Sequence, residues 1–255
     1  MARGILGAQL YSVRQSLKNL DDIATSLEKI ARIGYRSVQL SGLGPVDKQE
    51  LAKVIKDSGL IVASTHESWD RFRTDLDNLI AEHKFLGCRH PAIGGLNKEY
   101  HSLEGINKFA SELRPVAERL ASEGMDFSYH NHNHELTKYD GITWLERLYS
   151  ALDPRDLKAE IDTFWIQAGG GDPADWIARL GPRQPILHLK DMVFCESRQR
   201  FAPVGEGNLN WPAILKAARK ARVEYYMVEQ DETYGMDPFE AMAISYRNCR
   251  KMGLS

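Results

Sequence analysis

Cysteine is scarce in this chain. There are three, Cys88, Cys195 and Cys249, an odd number set far apart. That excludes a disulfide framework and a CxxC-type zinc site, and a reducing, cytoplasmic setting fits such usage. Long apolar runs are lacking too: nothing approaches the ~20 residues that a membrane span requires. Neither sign of charge dominates. Lys and Arg number 33 against 35 Asp and Glu, a net charge of −2. The basic residues are scattered, so no surface is set aside for phosphates, and nucleic acid is not expected as a partner. The opening MARGILGAQLYSVRQ is mildly apolar but holds Gln9 and Tyr11 and no clear cleavage site. It reads as a first strand, not a signal peptide.

What is present is globular. Hydrophobic residues make up 43% and charged residues 27% of 255, enough apolar material for a core. The chain also repeats a form. Leu20, Ile23, Ala24, Leu27, Ile30 and Ala31 recur at helical spacing behind Asn19 as a cap, Gly34 stops that helix, and a short apolar run, YRSVQL (35–40), follows. Leu51, Val54 and Ile55 precede Gly59 and LIVASTH (60–66). Leu76, Leu79 and Ile80 precede Gly87 and CRHPAIG. Ile106, Phe109, Leu113, Val116 and Leu120 precede Gly124 and MDFSYHNH. Helices near 142–152, 172–180 and 211–220 then lead to LKAEIDTFW, PILHLKD and EYYMVEQD, and a last helix starts about Pro238. With a first strand near Ile5–Val13 this makes eight strand–helix units. Alternating strands and helices build parallel sheets, and eight units in about 250 residues match a (β/α)8 TIM barrel. A doubly wound open sheet is the alternative, but QLYSVRQSL lacks the glycine-rich phosphate loop usual after its first strand. One barrel domain is expected over 1–255.

In such a barrel the chemistry collects at the C-terminal ends of the strands. Gln9, Tyr11, Ser12 and Arg14 fall there on the first strand, Gln39 and Ser41 on the second, and His66 and Glu67 on the third. The fifth ends in SYHNHNHEL (128–136), with His130, His132 and His134 on alternate residues. Glu160 and Asp162, then Phe164 and Trp165, end the sixth. His188, Lys190 and Asp191 end the seventh, and Glu229 and Asp231 the eighth. His130, Asp162, His188 and Glu229 thus come from four consecutive strands at matching depth. Two imidazoles and two carboxylates suit one divalent ion, Mn²⁺ first, with Zn²⁺, Co²⁺ or Fe²⁺ after it. A lone histidine at a strand end is ordinarily a hydrogen-bonded wall residue; the four together argue for a metal. His132, one pleat higher on the same face, is a candidate second ligand, substrate contact or proton carrier. His134 is expected on the rim. Lys190 is either a proton donor or half of a rim salt bridge with Asp191. Trp165 could offer a flat wall to a sugar ring, whereas Trp69 and Trp211 are expected to pack against the barrel.

The chain resembles the sugar phosphate isomerase/epimerase family, the xylose isomerase-like barrels, over essentially its whole length. YHNH (129–132), the Asp162 strand with AGGGDP (168–173), HLKD (188–191), GEGNLNW (205–211) and VEQD (228–231) carry the resemblance. It implies one divalent metal held from strands five to eight, which by position means His130, Asp162, His188 and Glu229. It also implies that His66 contacts substrate and that Glu206 lies near the pocket, with Gln9 a further candidate for substrate contact. One departure stands out. Many ketose epimerases of the family place a glutamate on strand five that binds metal and exchanges a proton, and this chain has His130 there. Glu229 can still serve as one base; the second carrier would be His132, Lys190 or Glu135.

The resemblance therefore implies a metal-dependent isomerase or epimerase that removes a proton beside the carbonyl of a keto-sugar or polyol ketone. Glu229, His132 and Lys190 are the candidate catalytic groups. Dehydration or β-elimination of an inosose or keto-glycoside is the alternative. A nuclease of related fold would need more ligands and a basic groove, and a non-catalytic sugar-binding barrel is the remaining rival. Self-association is left open.

Overall fold

The computed structural model describes residues 4–255. Of the stretch read as the first strand and of the domain expected over 1–255, Met1–Arg3 lie outside the described residues. Eight parallel strands close into a ring in which each pairs with its neighbours in chain order and the last returns to the first. They are β1 (Ile5–Gln9), β2 (Ser37–Leu40), β3 (Ile61–Glu67), β4 (Pro91–Ile93), β5 (Ser128–His130), β6 (Lys158–Asp162), β7 (Ile186–Leu189) and β8 (Tyr225–Val228). The principal helices between and after them are α1 (Leu20–Ile33), α2 (Lys48–Asp57), α3 (Leu76–Leu86), α4 (Leu103–Ser122), α5 (Trp144–Ala151), α6 (Pro173–Leu180), α7 (Trp211–Ala221) and α8 (Pro238–Lys251). This is the (β/α)8 barrel, and the open sheet is excluded by the β1–β8 pairing.

Local chemistry sets the helices. In α1, the Asn19 side chain accepts from Asp22 N at 3.0 Å, an N-cap that satisfies an otherwise orphaned donor. Ile23, Leu27 and Ile30 are wholly buried, and their spacing puts them on the stripe that faces the sheet. Each contributes ~1.5–3 kcal/mol by leaving water. Gly34 ends the helix at φ 120°, where a Cβ would also strike the Tyr246 ring. A substitution there breaks the turn that delivers the chain to β2.

Strand alternation then separates two environments. Tyr129, Ile161, Leu187 and Leu189 join the large core between sheet and helices. The residues between them turn into the ring. Ile186 and Met227, two positions before His188 and Glu229, form with Ala63 a small separate apolar cluster. It fills part of the barrel interior beneath a polar layer.

Two local expectations are corrected. The first strand was expected to run to Val13. It ends at Gln9, whose side-chain Oε1 accepts from Tyr11 N at 3.1 Å and starts a 3₁₀ segment over Leu10–Ser16. A helix was expected from 142. A short hairpin, Lys138–Tyr139 with Ile142–Thr143, stands there instead, and α5 starts at Trp144 behind the Thr143 cap. A second hairpin, Asp191–Cys195 with Arg198–Ala202, follows β7. Among the described residues, no helix is long and apolar enough to cross a membrane.

Candidate metal centre

Parallel register brings the four expected ligands to one level. Asp162 stands opposite His188 across β6 and β7, His130 ends β5, and Glu229 follows β8 with its N–H bonded to Leu189 O at 3.1 Å. All four are buried, and each offers a ligand atom within 4.8 Å of the others. His130 Nε2 lies 3.5 Å from Asp162 Oδ2. His188 Nδ1 lies 2.9 Å from Glu229 Oε2 and 3.8 Å from Asp162 Oδ2. Both ring nitrogens of His130 and Oδ2 of Asp162 are buried without a hydrogen-bond partner. Buried polar atoms are normally paired, and a shared cation would satisfy Asp162 Oδ2 and the His130 nitrogen nearest it, Nε2. Two nitrogens and two carboxylate oxygens are the donor set that borderline divalent ions accept. The residues fit the metal.

The layer beneath orients these ligands. His188 Nε2 donates to Gln39 Oε1 at 2.6 Å and lies 2.9 Å from Glu160 Oε1. Gln39 Nε2 in turn donates to Glu160 Oε1 at 2.9 Å and to Ser64 Oγ at 3.1 Å, which fixes its oxygen toward the imidazole. With Nε2 committed as donor, the Nδ1 of His188 is the nitrogen turned to Glu229 and Asp162, the arrangement that gives a ligating histidine its orientation and basicity. Asp162 is held likewise. Its Oδ1 caps Trp165 N at 2.9 Å, and its N–H donates to Asn131 Oδ1 at 3.1 Å. The sequence reading places Glu160 at its strand end without a role. The signal was legible: it lies two residues before Asp162, on the same face.

Lys190 supplies the balancing charge. Its Nζ lies 2.8 Å from Asp231 Oδ2, 3.2 Å from Glu229 Oε2 and 3.7 Å from Asp162 Oδ2. Burial pulls the ammonium down, but the three carboxylates win and raise it, so it stays charged. Burial pushes Glu229 up, and Lys190 and His188 overcome that, holding it well below the ordinary carboxylate range. Burial raises Asp162 against the pull of Lys190. Burial and then Glu229 raise Asp231. The alternative rim bridge between Lys190 and Asp191 is corrected: strand parity turns Asp191 the other way. Its carboxylate accepts from the N–H groups of Met192, Gly205, Gly207 and Leu209 at 2.8–3.3 Å and from Trp211 Nε1 at 2.6 Å. That explains GEGNLNW physically. Gly205 sits at φ 88°, and a Cβ on Gly207 would strike Asp191.

The other candidates divide. His66 reaches the cluster, with Nε2 2.6 Å from Glu160 Oε1. His132 lies just past β5, its ring 5.0 Å from that of His130 and 5.3 Å from that of Trp165. Burial first, then His130, lowers it to about 3, so it is neutral near pH 7. Lys190 Nζ lies 5.0 Å over the Trp165 ring. Gln9 is fully buried, and its Nε2 has no partner. His134 is about half exposed. Glu135 is buried, accepting from Tyr129 OH at 2.8 Å and His132 N at 2.9 Å. Glu206 is not brought to the cluster: it accepts from Asn248 Nδ2 of α8 at 2.7 Å on the outside of the barrel. Trp69 packs against Phe72, Phe109 and Phe127 in the core.

Known proteins share this architecture. The family profile described as xylose isomerase-like TIM barrel matches residues 27–243. The rhizopine catabolism protein MocC of Rhizobium meliloti is 24% identical, the match covering 89% of this chain and 78% of that protein. A sugar phosphate isomerase/epimerase from Parabacteroides distasonis superposes with a TM-score of 0.81 at 22% identity, over 99% of this chain and 96% of its own. An L-ribulose 3-epimerase superposes with a TM-score of 0.76 at 21% identity, over 100% and 95%.

Proposed function

Because the chain belongs to the xylose isomerase-like TIM barrel family, we propose that it is a divalent-metal-dependent isomerase or epimerase that abstracts a proton beside the carbonyl of a keto-sugar or polyol ketone. The convergence of His130, Asp162, His188 and Glu229 from four consecutive strands, with orphaned ligand atoms on two of them, carries this reading. An ion held there would supply Lewis acidity to an adjacent carbonyl. Mn²⁺ is the first choice for that ion.

The chain supplies the rest. Glu229 is ionised and serves as base. Its contacts with His188 and Lys190 both fall on Oε2. Lys190 is protonated and sits 3.2 Å from that oxygen, placed to donate to an oxyanion that develops beside the departing proton, the kind of stabilisation worth ~10²–10³-fold in rate. His132 is the candidate second proton carrier: its imidazole is neutral and so can accept. Trp165 forms a wall, His66 and Gln9 are candidate substrate contacts, and the apolar cluster of Ala63, Ile186 and Met227 lies below. Glu206 has no part in the proposed site.

A second reading, dehydration or β-elimination, has its own observation. Glu135, the remaining carboxylate on the fifth strand's loop, is bound by Tyr129 and His132 N. Glu229 and Lys190 therefore form a one-base, one-acid pair, which suffices for proton removal and leaving-group protonation. The test is solvent deuterium exchange into a panel of keto-hexoses, keto-pentoses, inososes and 3-keto-glycosides, with EDTA-treated and Mn²⁺-loaded protein. Metal-dependent incorporation without loss of hydroxyl supports isomerisation or epimerisation, and loss of water or glycoside supports elimination. Absence of both across the panel overturns the catalytic reading in favour of sugar binding.

A further inference from the structure

The histidine-rich segment after β5 contains more ligands than one metal centre uses. His134 begins a 3₁₀ turn over His134–Leu136, which swings its ring back over His132. The two imidazoles lie 5.6 Å apart and nearly parallel, at 14°. His134 Nε2 is 3.2 Å from Glu135 Oε1. His132, His134 and Glu135 offer ligand atoms within 4.8 Å of one another. A further imidazole stands nearby on the loop after β4. His101 places its ring 4.7 Å from that of His134, and its backbone is anchored there by Tyr139 OH at 2.7 Å. His101 Nε2 and His132 Nδ1 are both buried without a hydrogen-bond partner.

We infer that His101, His132, His134 and Glu135 form a second metal site at the rim of the barrel, beside the centre built on His130. Three imidazoles and one carboxylate select an imidazole-preferring ion of the Zn²⁺, Ni²⁺ or Cu²⁺ class. The carboxylate is pre-oriented, because Tyr129 OH and His132 N hold Glu135 from behind, as supporting groups hold a ligand. Those same bonds already satisfy much of its charge, and an incoming ion must displace the His134–Glu135 contact. The rim site is therefore the weaker of the two. His132 belongs to both neighbourhoods, so the second ion takes up a side chain that also faces Trp165 and His130.

Stoichiometry tests the inference without any substrate, so its outcome is independent of the proposed reaction. EDTA-treated full-length protein is titrated with Zn²⁺ by calorimetry and with Co²⁺ by visible absorption. Two equivalents are expected for the wild type, one tight and one weaker. His134→Ala, a half-exposed position whose replacement leaves the core intact, is expected to lose the weaker equivalent and its Co²⁺ band. His130→Ala is expected to keep the weaker one. A wild type that takes up a single equivalent overturns the inference. So does a folded His134→Ala protein that still takes up two.

Discussion

Replacing Lys190 by methionine isolates the electrostatics of the centre. Methionine matches the lysine stem and keeps contact with the Trp165 and Phe201 rings, over which Nζ lies at 5.0 and 5.1 Å. The change removes a charge and leaves little cavity. Left behind are Asp231, Glu229 and Asp162, whose oxygens stand 2.8, 3.2 and 3.7 Å from the lost ammonium. Breaking a buried pair by removing one partner costs ~3–5 kcal/mol, because the other charge stays buried and uncompensated. Three carboxylates around one cation put the expected loss near the top of that range, ~4–5 kcal/mol. At ~2–4 °C per kcal/mol for a domain of this size, Tm falls by ~8–20 °C. The loss also has a sign in pH. Burial already raises Asp162 and Asp231 to about 6, and removing the lysine lifts both further, while Glu229 loses the larger of the two charges that hold it low. Folded pKa values above the unfolded ~4 mean that the native variant binds more protons than the unfolded chain, so its stability rises as pH falls. The deficit against wild type is largest near pH 8 and shrinks toward pH 5. Urea unfolding of EDTA-treated proteins across that range measures it. A deficit under ~1 kcal/mol at pH 8, the level of a surface pair, or one that does not change with pH, would refute the electrostatic account.

Other expectations follow from single side chains. Glu160→Gln weakens orientation of His188, and metal affinity should drop ~10–100-fold with the fold intact; competition against a chromophoric chelator reads this, and unchanged affinity removes the role given to Glu160. Asp191→Ala strips five donors of their acceptor, which should cost ~3 kcal/mol or more and speed amide exchange at Gly205, Gly207 and Leu209. Exchange left as slow as in wild type would show that the loop holds without it. His83 is buried between Thr65 Oγ1 and Leu79 O, both at 2.7 Å, and burial lowers its pKa. It contributes stability that is present above its unfolded ~6.5 and lost as pH falls below that value. His83→Gln should flatten the acid limb by as much as ~1.4 kcal/mol per pH unit, measured by denaturant unfolding between pH 7 and 5.

Much of this was legible because barrels obey two periodicities. Helical stripes with glycine stops gave the order of elements, and period-two strand ends placed His130, Asp162 and His188 on one face before any coordinates. The Glu196–Ser197 hairpin was not legible: both residues take positive φ, 50° and 59°, in a turn usually marked by Asn-Gly or Asp-Gly. Asp140–Gly141, at φ 50° and 81°, did carry that mark, and the apolar residues after it were read as helix too early. Glu206 followed from a motif whose glycines, not its glutamate, meet the functional strand. Lys190 and Asp191 show the limit of adjacency. Neighbours in sequence face opposite sides of a strand, so one neutralises the centre and the other moors a loop.

Closure of the ring has a kinetic consequence. The hydrogen bonds of the centre span long stretches of chain, 41 residues from His188 to Glu229 and 149 from Gln39 to His188. Arg14 fastens to Asp231 O over 217 positions. Contacts this remote form only after the loops between them have closed. During synthesis, His188, Lys190 and Asp162 exist before the strand that balances them has been made. A nascent chain lacking β8 is therefore both an open sheet with a bare edge and a ligand set missing one arm. Ion capture at the proposed centre would then report completion of the last turn of the barrel, so metal uptake would serve as an assay of assembly as well as of chemistry.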